Sequence, residues 1–469
     1  MIEQSPRGYG LSTGVFLVVA GMVGAGILTS SGYTLRDTAN PAGLLLLWAV
    51  GGLMALCGAW CVVEMATALP QVGGDYIFAR EAFGPGAGMV AGWLSFLIGF
   101  TAPTAVVARL AANYIVKPFW EPLRTVTPES FYAYLEPGLA TVLIVCITWG
   151  HCLGHKQSAL LQTVTTLGKV FVLLAMVVAA LLSPRIDWSH FESSHWPDRS
   201  EWSTWAVGLI YVGYAYAGWN SAAYIAGEIR NPGKLLPWAI LGGCILVTTL
   251  YLLLNLVYIL ALDPVAMRMR PIGEVGPVAD LAMRELFGPA LANPLSVVLG
   301  LGLVASLSSY LLAGSRLPVA MAHDGLFFRM AGRLHNTRQT PVFALWIQAF
   351  LAIGLCWSGS FLQILDYTSV GLTLVSALVI CSIFPLRRRV DLAHAIRCPG
   401  HPLPALIYLG LSTWTIVFSL MDGQKFFPTL LSLVTVIVVV IVSGFIFSTR
   451  RMVASNPTSA GPGKVPGPL

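Results

Sequence analysis

Three features of the sequence set polar or conformationally free groups inside long apolar runs. The first is Gly21-Met22-Val23-Gly24-Ala25-Gly26-Ile27. Its glycines make continuous helix costly, at about 1 kcal/mol each, and an unwound stretch would free backbone N–H and C=O groups for a ligand. The second is Gly213-Tyr214-Ala215-Tyr216-Ala217-Gly218-Trp219-Asn220, again small, aromatic and polar. Each has a plainer reading: small residues for close helix packing in the first, a packed aromatic patch in the second. The third feature is Lys169, in the run QTVTTLGKVFVLL. It lies about ten residues, or about 15 Å, from the nearer end of its run, too deep for the stem to carry the amine to water. Protein groups or cavity water must meet its charge. Gln162, Thr165, Thr166 and Lys169 share one helical face, which makes an interior polar stripe; a purely structural lysine is the alternative.

Such groups need elements that hold them inside an apolar surround, and the composition provides them. The chain has 469 residues, 56% hydrophobic and 10% charged, with mean hydropathy +0.75. A soluble domain is about 45–50% apolar and about 25% charged, so a soluble enzyme, a disordered protein and a nucleic-acid binder are excluded. Breakers and charges divide the chain into twelve candidate spans: 11–35, 41–69, 86–115, 138–155, 159–183, 204–228, 237–262, 291–314, 341–358, 361–385, 403–421 and 427–448. Most come near or exceed the roughly 20 residues that cross a bilayer. With the N-terminus inside, 16 of the 27 Lys and Arg fall in inner segments and 9 in outer loops, with Arg109 and Lys169 inside spans. This bias puts both termini in the cytoplasm of a plasma-membrane protein, and an even span count agrees. Residues 1–10 carry no cleavable-signal pattern. The stretch 455–469, rich in Pro, Gly and Ser, reads as disordered. Loop 263–290 predicts a short outer helix at VADLAMRELFG, and loop 315–340 reads as long, basic and cytoplasmic. The eight cysteines lie in or near apolar segments or beside basic loops, a placement that predicts no disulfides.

Two interrupted spans, five apart, point to a transporter site built from inverted repeats. The N–H groups at a half-helix start suit a carboxylate, and the carbonyls freed where a half-helix ends suit an ammonium. One backbone device thus recognises the zwitterionic head of an amino acid. Glu64, Asp366 and Arg109 read as interfacial or structural charges. All histidines fall in loops or at span ends, so no intramembrane pair is available for haem. Neither GxxxxGK[ST] nor HExxH occurs, which argues against ATP hydrolysis and zinc proteolysis. No cofactor, no metal and no enzymatic activity are expected.

The motifs resemble those of the amino acid–polyamine–organocation transporters, closest to the L-type and bacterial amino acid permease branch. Gly24-Ala25-Gly26-Ile27 is similar to the GSGI element of span 1. EMATALPQVGGDYIFAREAFGP (64–85) resembles the exit of span 2, YAYAGWNSAAYIAGEIRNPGKLLPWAI (214–240) resembles YxGWNxxN…EE..NP..LP.AI, and GSRLPVAMAHDGLFFRMAGRLHNTRQTPVFAL (314–345) and RCPGHPLPALIYL (397–409) resemble the family's later loops. Ala25, Ala217, Ala223, Gly227 and Phe328 depart from the usual Ser, Gly, Asn, Glu and Pro.

The resemblance implies an all-α fold of twelve helices, with helices 1 and 6 discontinuous. Residues 1–10 would be a cytoplasmic N-terminus, 11–183 and 204–385 two inverted five-helix repeats, 386–448 a cytoplasmic loop with helices 11 and 12, and 449–469 a disordered cytoplasmic tail. It implies a carboxylate on the backbone of Gly24, Ala25 and Gly26, and an ammonium on carbonyls near Met22, Tyr214 and Ala215, with Val23 also in the substrate-binding set. Tyr214 would be an aromatic gate, with Trp219 and Asn220 shaping the site. Lys169 matches the family's span 5 lysine, which takes the place of sodium in sodium-coupled relatives, and Ser308 and Ser309 would be its neighbours. Animal L-type carriers bond to a partner through a cysteine between spans 3 and 4; loop 116–137 has none, so no disulfide-linked subunit is expected. The expected function is sodium-independent exchange or proton-coupled uptake of amino acids. The two interrupted stretches hold no acid, which favours neutral substrates. A carrier of cationic amino acids or polyamines is the alternative, and a transport-dead nutrient sensor the rival of another class.

Overall fold

The computed structural model describes residues 8–120, 129–194, 198, 201–359, 361–389, 395–423 and 425–455. Among these residues the regular structure is helical, apart from two isolated backbone bridges, Tyr9 with Ile229 and Val72 with Ile225. Ten helices are long and apolar enough to cross a membrane, which makes this a multi-pass membrane protein.

The chain begins with α1 (Leu11–Met22) and α2 (Ala25–Thr38), separated only by Val23 and Gly24. Then come α3 (Pro41–Ala68), α4 (Asp75–Phe83), α5 (Pro85–Trp120), α6 (Glu129–Cys152) and α7 (His155–Leu181). Pro41 opens α3 and the Asn40 side chain caps it, accepting from the Gly43 amide at 3.0 Å. A π-helical stretch over Ser95–Thr101 interrupts α5. The second part of the chain contains α8 (Trp202–Tyr216), α9 (Pro232–Ala261), α10 (Val278–Phe287), α11 (Pro289–His323), α12 (Val342–Ser358) and α13 (Phe361–Leu386). It closes with α14 (Leu403–Met421) and α15 (Phe426–Ser455). α12 is apolar but only 17 residues long.

The expected span 204–228 is corrected in one respect. Helix persists through Gly213–Tyr216 and stops at Ala217, whose backbone is extended (φ −58°, ψ 151°). Gly218 follows at φ +100°, and the chain continues as 3₁₀ turns at Ser221–Tyr224 and Ala226–Glu228. The loop after α9 forms two short helices (Pro264–Met269, Ile272–Val275) before α10, which is the outer helix expected at VADLAMRELFG. The basic loop after span 8 begins as a continuation of α11 and ends in a 3₁₀ turn at Arg329–Gly332. Of the tail expected to be disordered, 449–455 instead continues α15 as helix, and 456–469 lies outside the described residues.

Burial separates centre from rim. In the most apolar windows of α1–α2, α3 and α5, 67–78% of residues are buried inside the protein, against 28% in α14 and 17% in α15. α14 and α15 therefore present apolar side chains such as Leu403, Ile441 and Phe445 outward, a face that lipid rather than protein must cover. At the centre α1 packs on α9, α2 on α8, and α11 on α5 and α7. That arrangement puts the two broken segments side by side.

Candidate functional site

A helix that ends in hydrocarbon leaves its last carbonyls without partners, and each needs a donor. The end of α1 is supplied from three neighbouring helices. Ser309 on α11 donates to Leu17 O at 3.2 Å. Lys169 on α7 reaches Ala20 O at 3.4 Å and also donates to Val23 O. Tyr310 on α11 donates to Gly21 O at 2.8 Å, and Ser306 to Val23 O at 2.6 Å. The Tyr251 hydroxyl on α9 lies 2.6 Å from Met22 O and 2.8 Å from Ala215 O, so one proton is shared between the two breaks. Lys169 also donates to Ser306 Oγ at 2.8 Å. Its ammonium thus sits at the negative end of the α1 dipole, fully enclosed by protein.

The other face of the break is a donor surface. The Gly24 amide turns back to Met22 O at 2.8 Å. The amides of Ala25, Gly26 and Ile27 open α2, where a helix has no intrahelical acceptors to offer. Two glycines allow the segments to touch. A Cβ on Gly26 would collide with the backbone of Ala215, and one on Gly218 would run into the Gly21 carbonyl. The hydroxyls of Tyr214 and Ser221 are buried here and reach no hydrogen-bond partner among the described residues.

Beside this junction lies a cavity between α5, α13 and the irregular second segment. Its lining includes Phe100, Gly218, Asn220, Tyr310, Ser376 and the carboxylate of Asp75. Asp75, the first residue of α4, accepts from Ser95 Oγ at 2.9 Å, from Asn220 Nδ2 at 3.2 Å and from the Tyr224 hydroxyl. Burial pushes this carboxyl above the usual range, against the pull of those three donors. The Trp219 ring packs edge-on against Tyr408 of α14 at 6.0 Å.

The structure thus gathers Met22, Val23, Gly24, Ala25, Gly26, Tyr214, Ala215, Trp219 and Asn220 around one junction. Two details differ from the sequence expectation. Gly24 spends its amide on Met22, which leaves the α2 first turn as the donor surface. Ser308 and Ser309 are not the neighbours of Lys169. Ser308 donates to Gln162 Oε1 at 2.8 Å and meets His151 Nε2 at 2.9 Å, while Ser309 serves Leu17. The reason is register. Along α11, Ser306 stands level with Val23 and Ser309 with Leu17, so the serine opposite Lys169 comes one turn earlier.

Sequence reasoning missed Ser306, Tyr251, Tyr310 and Asp75 as site residues. The hydroxyl run Ser306-Leu307-Ser308-Ser309-Tyr310 was a visible signal; a lone Tyr251 in an apolar run was none. The charges read as interfacial are paired: Glu64 with Arg387 at 2.9 Å, Arg109 with Glu136 at 2.8 Å, and Asp366 with Lys425 at 2.9 Å.

The family model described as amino acid permease matches residues 9–456. Among curated proteins, the human large neutral amino acids transporter small subunit 2 is 25% identical over 426 residues, covering 88% of this chain and 75% of that one. The mouse b(0,+)-type amino acid transporter 1 is 26% identical over 398 residues, covering 83% and 78%. The mouse Asc-type amino acid transporter 1 is 26% identical over 421 residues, covering 87% and 76%.

Proposed function

The chain belongs to the amino acid permease family, and from that premise we propose that it is a secondary transporter moving amino acids across the plasma membrane by alternating access. The observation that carries this reading is the division of labour at the α1–α2 break. Side chains from α7, α9 and α11 cover the α1 carbonyls, while the first-turn amides of α2 are left to meet a carboxylate. The ammonium falls to the second lone pairs of the Tyr214 and Ala215 carbonyls, since the Met22 and Val23 carbonyls nearby each already hold two donors. The side chain points toward the cavity past Gly218. α8 with its irregular continuation, α12 and the ten long helices make up the twelve spans, 11–183 and 204–385 the two inverted repeats, and both termini are cytoplasmic.

Both ends of the core are tied, as an alternating-access carrier requires in its closed state. On the side where α1 begins, Tyr9 pairs with the Glu228 and Arg230 backbone, and Glu228 meets Arg316 at 3.4 Å. On the other side Tyr33 stacks on Tyr211 at 5.5 Å, Tyr211 donates to Asp366 at 2.7 Å, and Lys425 pairs with Asp366. Lys169 supplies the cation that would otherwise be sodium, so the carrier works by exchange or proton-coupled uptake and without a disulfide-linked subunit.

Neutral amino acids are the proposed substrates, because the carboxylate that lines the adjoining cavity, Asp75, already accepts three donors. A second reading, a carrier of cationic amino acids or polyamines, draws on the same residue, since Asp75 borders the cavity. Exchange of a radiolabelled amino acid panel in proteoliposomes decides between them. Neutral substrates that compete with one another, with uptake retained in Asp75→Asn, support the first reading. Lysine or putrescine uptake lost in Asp75→Asn supports the second. Binding without flux for every compound would make the chain a sensor instead.

A further inference from the structure

The buried acids of this core have cationic partners, with one exception. Glu64, Glu136, Glu228, Asp280 and Asp366 each meet an Arg or a Lys. Asp75 is 3% exposed, yet among the described residues no Lys, Arg or His pairs with it. Its Oδ2 accepts from Ser95 Oγ at 2.9 Å and from the Tyr224 hydroxyl, and its Oδ1 from Asn220 Nδ2 at 3.2 Å. All three donors are neutral. The titratable groups around it are phenols: Tyr224 on the irregular segment, Tyr310 of α11 across the cavity, and Tyr408 of α14. α5 and α13 bring no titratable group to the cavity. Arg80, on the same helix as Asp75, is committed to Asp324 and Glu81.

An enclosed charge without a counter-ion is costly, and a carboxyl so placed favours its protonated form. Asp75 and Asn220 line the same cavity, which has room for a water molecule to bring the proton. Ser95 opens the π-helical stretch of α5, a local widening that recurs at functional sites. The Gly73 amide donates to Tyr224 O at 3.1 Å, so the start of α4 and the second break cannot part without disturbing the carboxylate.

We propose that Asp75 binds the coupling proton of this carrier, taking it up as an amino acid is enclosed and giving it up as the amino acid leaves. The inference rests on the carrier reading above and narrows it to symport with a proton. Asn220 is the link, since it belongs to the second break and its amide is also a donor to Asp75. An amino acid at the junction draws that amide away and leaves Oδ1 without a donor. Hydrogen bonds to a carboxylate favour its charged form, so losing one favours protonation. Cavity water then delivers a proton to Oδ1, and the neutral carboxyl is enclosed together with the substrate. When the substrate leaves, Asn220 returns, the proton passes to water on that side, and the carboxylate is carried back on its three donors. Proton and amino acid thus strengthen each other's binding by the same factor. Burial already holds this carboxyl above its usual range, which moves proton uptake toward neutral pH.

The test uses the full chain, with the amino acid that exchanges fastest from the panel above as the probe. In proteoliposomes with an acidic outside, the wild type is expected to accumulate the probe above its outside concentration and to acidify a trapped pH dye, and to lose both with a protonophore. In detergent its affinity for the probe is expected to fall as the pH rises. Asp75→Asn is expected to show no gradient-driven accumulation and an affinity that does not change with pH, whatever its exchange rate. Tyr224→Phe removes one donor from the carboxylate, so its affinity curve is expected to move up by about one to two pH units, the worth of a hydrogen bond to a charged group. A wild type that exchanges the probe but neither accumulates it nor moves protons overturns the proton site and leaves the carrier reading standing. Accumulation that persists in Asp75→Asn overturns the site as well, and so does a Tyr224→Phe curve that stays in place or moves down. A wild type that exchanges nothing overturns the carrier reading, and the proton site with it.

Discussion

A buried ammonium is tolerated only where several acceptors converge on it, and Lys169 has three: Val23 O, Ala20 O and Ser306 Oγ. Lys169→Ala removes the charge and strips donors from two carbonyls and a hydroxyl, each unmet group costing about 1–3 kcal/mol. Uptake is expected to collapse while size-exclusion profiles still show folded protein. Wild-type uptake should be indifferent to replacing sodium with choline, and a sodium requirement would end the argument that the lysine stands in for the ion. Ser306→Ala takes away the lysine's hydroxyl acceptor and one of Val23's donors. It is expected to lower uptake roughly five- to tenfold, in keeping with about 1–1.4 kcal/mol for one such bond. Ser308→Ala, which touches Gln162 and His151 instead, is expected to do much less. Equal losses in the two variants would show that the serines act only through packing. Lys169 was legible in the sequence because a charge deep in an apolar run has few structural alternatives. Its partner was not, because periodicity gives the face of α11 but not its height relative to α1.

At the scale of elements, the second break shows what pattern reading can and cannot locate. The cluster from Gly213 to Asn220 marked the right stretch, yet α8 runs through Gly213 and ends only at Ala217. A glycine lowers helix propensity, but a helix boxed in by neighbours outlasts one such residue. What ends α8 is the pair Ala217–Gly218, where the chain turns extended and then takes φ +100° to pass the Gly21 carbonyl. Two substitutions therefore separate. Gly213 has open space where a Cβ would be, so Gly213→Ala is expected to be neutral or to stabilise by up to about 1 kcal/mol. Gly218→Ala meets both a left-handed backbone, costing about 1–2 kcal/mol, and the backbone of the first break. It is expected to lose transport and to lower the melting temperature in detergent. Equal tolerance of the two changes would mean that the segments do not touch. The ten long apolar helices were equally legible up to the same limit. Hydropathy finds the long helices, but the twelve residues from Ala217 to Glu228 look apolar enough to be helix while the backbone needs them as turns.

At the scale of the whole molecule, two ion-paired closures stand at opposite ends of one core. Glu228 with Arg316 is enclosed, with side-chain exposures of 7% and 5%, and Asp366 with Lys425 nearly so at 10% and 12%. Breaking one partner of an enclosed pair costs about 3–5 kcal/mol, because the other charge is left stranded. The stranded charge regains water only if that end opens. Each closure should therefore be released separately. Asp366→Asn weakens the ties among α13, the Lys425 segment and Tyr211 of α8, while leaving Tyr9, Glu228 and Arg316 untouched. In hydrogen–deuterium exchange it is expected to raise uptake in peptides from α2 and α8 and to leave peptides around 8–14 and 221–232 near wild type. Glu228→Gln is expected to give the converse pattern, with Arg316 seeking water on the side where α1 begins. If the carrier alternates, its ends open one at a time, and the close approach of Gly26 to Ala215 and of Gly218 to Gly21 would be the place where the two ends are coupled. If either variant loosens both ends together, the two ion pairs belong to one cooperative unit rather than to two gates, and alternation would have to be sought elsewhere in the fold.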